Sequence, residues 1–292
     1  MKITKLKQNN KDEMNNLSIF INKVFSENND LVARMNSSIS AKLHNDIYSV
    51  RKNDEILAIA STHQSTWHPN CIYVQLAYDL DGVDEQALQT LITVLENKYE
   101  QPLFFLLDER FYLFKEILSQ NQFRIIRKTE IIHIELPPSK GETVQDERIF
   151  SIREIRTNEA IMDSFVQLCE KTYTETHTDN PVADLPIESW RHAAMDGLLE
   201  EHSYVVVNGF EVIAFSLMYE SDKNSWELGW VGVDETSRIN DLNKLIRKQL
   251  EDAVKQGVSF IEKEVDSTCP YSLHICKFAK YDVAETLYAY MK

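Results

Sequence analysis

The sequence predicts an α/β (α+β) fold in which two domains of similar plan follow each other along the chain. At 292 residues, the chain exceeds the length that one hydrophobic core usually serves. A polar stretch divides the chain almost in half, and strand-like and helix-like segments occur in a similar order on either side of it. We therefore predict an amino-terminal domain over residues 1–138, a linker over 139–150 and a carboxy-terminal domain over 151–292.

The first half is predicted to have the order β-α-β-β-β-α-β-α-β. A short strand, ITKLK, precedes a helix with Met14, Leu17 and Ile21 on one face. A hairpin that turns at Asn53-Asp54 and a further strand follow. The half then continues as helix, buried strand, helix and closing strand, in DEQALQTLITVLENKYEQ, PLFFLLD, RFYLFKEILSQNQF and TEIIHIEL. The aromatic run FYLF has helical spacing, which predicts a place in the core; the alternative is an interface between the two halves.

The second half repeats this order. SIREI reads as the first strand, and residues 157–200 predict two helices around a proline-containing loop. A hairpin that turns at Asn208-Gly209 and the strand NSWELGWVGV come next. The helix DLNKLIRKQLEDAVKQ ends at Gly257, where a left-handed cap is expected.

The composition limits the classes of partner. The formal net charge is −15, so we expect no binding to nucleic acid or to an anionic membrane surface. A cationic or amine-bearing partner fits this charge better. The start of the chain has no apolar run typical of a signal peptide, and no window is apolar enough for a membrane helix.

The cysteines and histidines predict a reduced protein without a metal. Four cysteines form no CxxC pair, which favours a cytoplasmic location. His63 and His68 have no third ligand nearby in the sequence, so we expect no metal site.

One region after the second hairpin carries a family resemblance. The segments WELGWVGVDETSR, the following helix and EVDSTCPYSLHICKFAKY resemble the GNAT acyltransferase superfamily in order and spacing. The two halves together resemble its tandem members, with an amino-terminal domain that lacks the cofactor motif. This resemblance implies two GNAT-like domains, each a mixed, mostly antiparallel sheet flanked by helices, with acetyl-CoA as co-substrate.

The resemblance also implies where acetyl-CoA would bind. The family loop reads Arg-x-x-Gly-x-Gly/Ala, and here Arg238 keeps the arginine while Asp241 and Asn243 replace the small residues. We expect Asp241 to cap the helix and to repel a diphosphate, at ~1 kcal/mol in water and ~4 kcal/mol at a lower dielectric. The residues implied for the pantetheine are Trp230, Val231, Gly232 and Val233, and those for the diphosphate are Arg238, Ile239, Asn240, Asp241, Leu242, Asn243 and Lys244.

Acyl transfer to an amine requires a base and an acid. By resemblance, Glu227 is the base; the alternative is an ordinary surface glutamate on an alternating strand. Where the family has a tyrosine that acts as general acid, this sequence has Cys276, which is either the acid or a small apolar core residue. Other candidates for the acid are Tyr271, Tyr288 and Tyr290.

The acceptor site is implied in the loop THTDNPVADLPIESW. His177, Asp179 and Asp184 would hold a cationic group and Trp190 would stack on it, unless this loop is only a lid or a capped helix start.

Two functional hypotheses follow. The first is an N-acetyltransferase that transfers acetyl directly to a small-molecule or peptide amine in its carboxy-terminal domain. The second is a non-catalytic GNAT-fold binding or scaffold protein that has lost its cofactor site. We also predict that the last strand, residues 286–291, is exposed and free to pair with another copy in a homodimer.

Overall fold

The computed structural model describes residues 2–6, 10–26, 28–40, 46–80, 82–136, 146–222, 224–277 and 279–292. The chain forms two compact units. Unit 1 comprises Met1–Ile126 with Leu287–Lys292, and unit 2 comprises Arg127–Thr286. The two units therefore exchange strand segments relative to the predicted domains, because 127–136 lie in unit 2 and 287–292 in unit 1. Residues 139–145 of the predicted linker lie outside the described residues.

Unit 1 contains a sheet with helices packed against it. Its elements in chain order are β1 (Lys2–Leu6), α1 (Lys11–Val24), α2 (Asn29–Ser40), β2 (Asp46–Lys52), β3 (Glu55–Gln64), β4 (Ile72–Tyr78), α3 (Glu85–Lys98), β5 (Leu103–Asp108) and α4 (Tyr112–Gln120). The strand β6 (Arg124–Ile134) then leads into unit 2.

Unit 2 follows the same plan. Its further elements are β7 (Ile149–Ser151), α5 (Ile152–Ile155), α6 (Glu159–Thr176), α7 (Ile187–Met195), β8 (Tyr204–Asn208), β9 (Glu211–Asp222), β10 (Ser225–Val233), α8 (Ile239–Gln256), β11 (Phe260–Asp266), α9 (Pro270–Ile275) and β12 (Tyr281–Met291). Residues Leu287–Met291 of β12 belong to unit 1.

Each unit has a mixed and mostly antiparallel sheet, which confirms the predicted fold class. In unit 1 the strand order is β1-β2-β3-β4-β5, followed by the end of β12; in unit 2 it is β6-β11-β10-β9-β8-β7. Within these units, β4 pairs with β5 and β10 with β11 in parallel, and the other registered pairs are antiparallel.

The long helices bury most of the residues that their periodicity predicts, whereas Met14 of α1 and Val254 of α8 are only half-buried. In α8, Leu242, Leu245, Ile246 and Ala253 are inaccessible to solvent and pack in the core of unit 2. In the FYLF run, Phe111 and Phe114 are buried in the core of unit 1, whereas Tyr112 is exposed. Among the described helices, none combines the length and the apolar character that crossing a membrane would require.

The predicted turns have the backbone geometry that their residues favour. Asn53 and Asp54 have φ of 50° and 67°, as a two-residue hairpin requires. Gly209 has φ of 67°, and Gly257 ends α8 in the left-handed region with φ of 74°.

Two local predictions were wrong. The helix α2 was not predicted, although Asn28 accepts a hydrogen bond from the Leu31 amide and so marks its start. The segment SIREI is strand only at its beginning. Ser151 and Glu154 form a reciprocal capping box, which stabilises the short helix α5 in place of the predicted strand.

The last strand has a partner within its own chain. Residues 287–291 pair with Phe104–Asp108 of β5, and Ala289 and Tyr290 are buried. The prediction that this strand is exposed and free to pair with a second copy was therefore wrong. A homodimer stays a prediction with no surface assigned to it.

Candidate functional site

A cleft of about 280 Å³ opens in unit 2 where β10 and β11 separate. The two strands pair in parallel from Ser225 only as far as Glu227, which lies opposite Glu262. Beyond Glu227, the edge of β10 that faces β11 has no strand partner among the described residues. The cleft is lined by Arg127, Cys169, Thr172, Tyr173, Thr176, His177, Glu227, Gly229, Trp230, Val231, Lys263, Glu264, Asp266, Cys269, Tyr271 and Ser272.

The strand β10 is irregular at the cleft, and its glycines are required there. Its register with β9 shifts between Leu228 and Val231. A Cβ at Gly229 would overlap the ring of Tyr219. A Cβ at Gly232 would lie 2.7 Å from side-chain atoms of both Phe215 and Thr172. Neighbouring side chains thus fill one face of β10, while its open edge borders the cleft.

Glu227 lies on the wall of the cleft at the point where the strands separate. Burial raises the pKa of its carboxyl group, and the negative charge of Glu264 acts in the same direction. The Lys263 ammonium opposes this shift. A carboxylate with a raised pKa in a cleft has the character of a general base.

Lys263 projects from β11 into the opening between the two strands. Its side chain is 6% exposed, and its Nζ donates a hydrogen bond of 2.9 Å to the Gly229 carbonyl oxygen. Burial lowers the pKa of this amine, and neighbouring acidic groups such as Cys269 and Glu264 oppose that effect only in part. No ion pair of Lys263 is found in the described part of the chain.

Tyr271 reaches the far end of the cleft from α9. Its hydroxyl lies 3.5 Å from the Val233 carbonyl oxygen and 3.5 Å from Glu175 Oε2. Burial, followed by the charge of Glu175, raises the pKa of Tyr271 to about 12. The hydroxyl therefore keeps its proton at neutral pH, and it is a weaker acid than an unperturbed tyrosine.

The other candidates for the acid lie elsewhere. Cys276 is not among the described residues that line the cleft; it packs against the core of unit 2, and the Tyr281 side chain hydrogen bonds to it. Burial raises the pKa of the Cys276 thiol. Tyr288 and Tyr290 pack in or against the core of unit 1.

After Val233, a 3₁₀ helix over Thr236–Arg238 leads directly into α8, and α8 has no side-chain cap. Arg238 occupies the N-cap position, where its guanidinium group has no acceptor for the helix amides, and its Nε pairs with Asp234 Oδ1 at 3.2 Å. The prediction that Asp241 caps this helix was wrong, because Asp241 lies in the first turn and its carboxylate binds cations. The amino terminus of α8 thus keeps its favourable dipole for an anion.

Two cations balance the charge of Asp241. Its Oδ1 lies 3.1 Å from Arg148 Nη2 and 3.2 Å from Lys244 Nζ. The same two cations contact Asp146, and their hydrogen bonds hold the pKa of that carboxyl group well below its usual range. The group of four charges is neutral as a whole. The expected repulsion of a diphosphate by Asp241 is therefore weakened by its neighbours.

The remaining residues of the predicted loop are distributed between surface and core. Asn243 Oδ1 accepts a hydrogen bond of 2.8 Å from His274 Nε2, which ties α8 to α9. Leu242 is fully buried, and Ile239 packs against the core of unit 2. Asn240 is exposed in the first turn of α8.

An aromatic cluster forms the wall of the cleft that α6 and α7 contribute. The rings of Tyr173 and His177 stack with centroids 4.0 Å apart. Tyr173 also contacts Trp190 and Trp230 at 5.4 Å and 5.2 Å. Trp190 is 1% exposed and therefore supports this wall from behind.

The predicted acceptor residues do not all meet. His177 lines the cleft and Trp190 supports its wall, whereas Asp179 and Asp184 are exposed and are not among the described lining residues. The aspartates lie on the loop that leads to α7.

Several residues of the cleft were not predicted from the sequence. Lys263 lies between Ile261 and Val265 on the inward-facing positions of β11. The alternation of buried positions in FIEKEVD could have indicated from the sequence that the Lys263 side chain points inward. Arg127 and Asp266 line the cleft together, with Arg127 Nε 3.4 Å from Asp266 Oδ1. Among the described residues, no group of three His, Cys, Asp or Glu side chains could hold a metal ion.

Comparison with protein-family models finds no match, and no curated protein is significantly similar to the chain in sequence. Solved structures do share its fold. A GCN5-related N-acetyltransferase from Sphaerobacter thermophilus superposes with a TM-score of 0.64 at 12% identity, over 100% of this chain and 95% of that chain.

Two further structures match at full length. A tandem GNAT protein from the clavulanic acid biosynthesis pathway gives a TM-score of 0.56 at 8% identity, over 100% of this chain and 98% of that chain. A GNAT-family acetyltransferase from Colwellia psychrerythraea gives 0.55 at 12% identity, over 100% and 99%. The chain therefore has the tandem GNAT fold, and at these identities the likeness concerns the fold alone.

Proposed function

We propose that unit 2 transfers an acetyl group from acetyl-CoA directly to an amine. The observation that carries the proposal is the separation of β10 and β11 beyond Glu227, which leaves a main-chain edge open beside an uncapped helix start. The likeness of the fold to acetyltransferases along the whole chain supports the same reading.

The residues of this region suit acetyl-CoA as co-substrate. The open edge of β10 from Trp230 to Val233 would hold the pantetheine by main-chain hydrogen bonds. The start of α8, from Arg238 to Lys244, would face the diphosphate, and the helix dipole favours an anion at this end. Because the four charges around Asp241 sum to zero, they repel an anion much less than an unpaired Asp241 carboxylate would.

The acetyl group would move in one step of bond exchange. The amine nitrogen forms a bond to the thioester carbonyl carbon as the carbon–sulfur bond breaks. Glu227 takes the proton that the nitrogen loses, directly or through water, and its raised pKa brings its basicity closer to neutral pH. Tyr271 gives its proton to the leaving thiolate, a role that its position in the cleft favours over Cys276.

The acceptor in this proposal is a small-molecule or peptide amine. The carboxylates of Glu227 and Glu264 would attract an ammonium group, and the rings of Tyr173 and Trp230, which border the cleft, would offer cation–π contacts. We place the reaction in the cytoplasm, because the cysteines are unpaired: Cys71, Cys169, Cys269 and Cys276.

A second candidate function is a binding or scaffold protein without catalysis. The specific observation in its favour is the hydrogen bond from Lys263 to the Gly229 carbonyl, because it occupies part of the edge that the pantetheine would use. On this reading, the lysine fills a cleft that no longer receives a cofactor.

Calorimetric titration of the full chain with acetyl-CoA separates the two candidates. The transferase reading expects saturable binding and release of free CoA thiol when primary amines are added. No heat of binding at millimolar acetyl-CoA would leave only the second candidate.

The variant Glu227→Gln tests the base. Turnover should fall by roughly 10²–10⁴-fold while the affinity for acetyl-CoA stays the same, because the carboxylate acts on the proton and not on the cofactor. In the wild type, the rate should be lost as pH falls through the raised pKa of Glu227. Glu262→Gln is the matched control, since Glu262 lies opposite Glu227 on β11 but outside the cleft lining. Equal turnover in both variants would exclude Glu227 as the base.

A further inference from the structure

The ε-amino group of Lys263 lies at the position in unit 2 where an acyl donor and a base would meet. It reaches the open edge of β10 at Gly229, within the irregular stretch between Leu228 and Val231. Glu227 lines the same cleft and is the last residue of β10 that pairs with β11 before the strands separate. A nucleophile, a base and an open strand edge are thus brought together in one cleft.

The surroundings of Lys263 favour an uncharged amine. Its side chain is almost completely buried, and its hydrogen bond goes to a neutral carbonyl instead of a carboxylate. Burial makes an ammonium without an ion pair costly and shifts the balance toward the neutral amine, which carries a lone pair. The charges of Glu264, Asp266 and Glu227 act in the opposite direction and offset only part of this effect. Burial accordingly lowers the pKa of the amine.

We propose that Lys263 is itself an acyl acceptor, so that unit 2 acylates its own lysine when no outside amine is present. This inference rests on the proposed function, because the donor is an acyl-CoA thioester. The lysine Nζ forms a bond to the thioester carbonyl carbon, and the carbon–sulfur bond breaks. The proton lost from Nζ passes to Glu227, and the leaving thiolate is protonated by Tyr271, giving acyl-lysine and free CoA.

The product would close the cleft to further turnover. An amide is stable, so the acyl group stays on Lys263, and the acylated side chain can no longer become charged at its buried position. The enlarged, neutral side chain remains at the open edge of β10 beside Gly229. Self-acylation would thus record exposure to acyl-CoA and reduce the affinity for the next donor molecule.

Incubation of the full chain with acetyl-CoA alone, followed by peptide mass spectrometry, tests the proposal. We expect one acetyl group per chain, located on Lys263, with one equivalent of free CoA thiol. Lys263→Arg should abolish the adduct. Lys277→Arg is the matched control, because Lys277 is an exposed lysine of the same unit, and its adduct should equal that of the wild type. Acetyl groups spread over surface lysines, or the same yield in urea-unfolded chain, would overturn the proposal.

Binding measured on the same samples distinguishes the two possible failures. If calorimetry detects acetyl-CoA but Lys263 stays unmodified, the self-acylation is wrong and the transferase proposal is unaffected. If acetyl-CoA does not bind, both fail.

A measurement without acetyl-CoA examines the amine directly. In limiting acetic anhydride at neutral pH, Lys263 should be acetylated faster than Lys277 in the folded chain, and this preference should vanish in urea. Slower reaction of Lys263 than of Lys277 would overturn its assignment as a nucleophile. Neither this measurement nor the wild-type adduct depends on how well a variant folds.

Discussion

Replacing Lys263 by methionine should change how the stability of the chain depends on pH. The lysine amine is buried, and its pKa in the folded state lies below the value of the unfolded chain. Between these two pKa values, the unfolded chain binds a proton that the folded chain does not bind. The wild type is therefore destabilised as pH falls through this range, and methionine, which has a similar length and no charge, removes that effect.

The size of the effect follows from one proton. Within the window that ends near the unfolded lysine pKa of ~10.4, the free energy of unfolding of the wild type should rise relative to Lys263→Met by up to ~1.4 kcal/mol per pH unit. The lost hydrogen bond to Gly229 adds an offset of about 0.5–1.5 kcal/mol that favours the wild type at high pH.

Urea unfolding of both proteins at several pH values between 7 and 10 measures the difference. Other titrating groups are shared, so they cancel between the two proteins. A difference in unfolding free energy that stays constant over this range would refute the reasoning, because it would mean that Lys263 is as well solvated in the fold as in the unfolded chain.

Three further substitutions test other parts of unit 2. Gly232→Ala should cost about 1–3 kcal/mol in urea unfolding, because its Cβ would crowd Phe215 and Thr172; a neutral change would mean that the strand can shift. Gly257→Ala should cost about 1–2 kcal/mol, because alanine is strained at φ of 74°. Thermal unfolding measures this loss, and an unchanged midpoint would mean that alanine adopts this conformation without strain. Asp241→Asn should tighten acetyl-CoA binding by about 1 kcal/mol, or roughly fivefold, in calorimetry; weaker binding would show that its carboxylate orders the site.

Local patterns were sufficient for much of the fold. The hairpin turn at Asn208-Gly209 and the left-handed end of α8 at Gly257 depend on conformations that few other residues adopt, so the residue types alone identify them. The order of elements placed Glu227 on a strand before a helix, and the structure has it on the cleft wall. Alternation along a strand and the hydrophobic face of a helix are short-range signals.

Long-range contacts could not be read in the same way. Asp241 was expected to cap α8, whereas the helix begins at Ile239 and the Asp241 carboxylate pairs with Arg148, which lies 93 positions away in the sequence. Lys263 was not predicted as a site residue, because its place in the cleft depends on the separation of β10 from β11. The segments TEIIHIEL and TLYAYM read as closing strands of their own halves, and nothing in their alternation identifies the unit in which each one pairs.

The return of residues 287–291 to unit 1 affects the order in which the chain folds during synthesis. As the ribosome releases the first half, β5 is complete but its partner from β12 has not yet been made. One edge of β5 therefore stays unpaired while more than half the chain is translated. During this time the edge can form non-native pairs with other strands. Chaperone binding to the ribosome-bound chain should consequently persist until Leu287–Met291 have emerged.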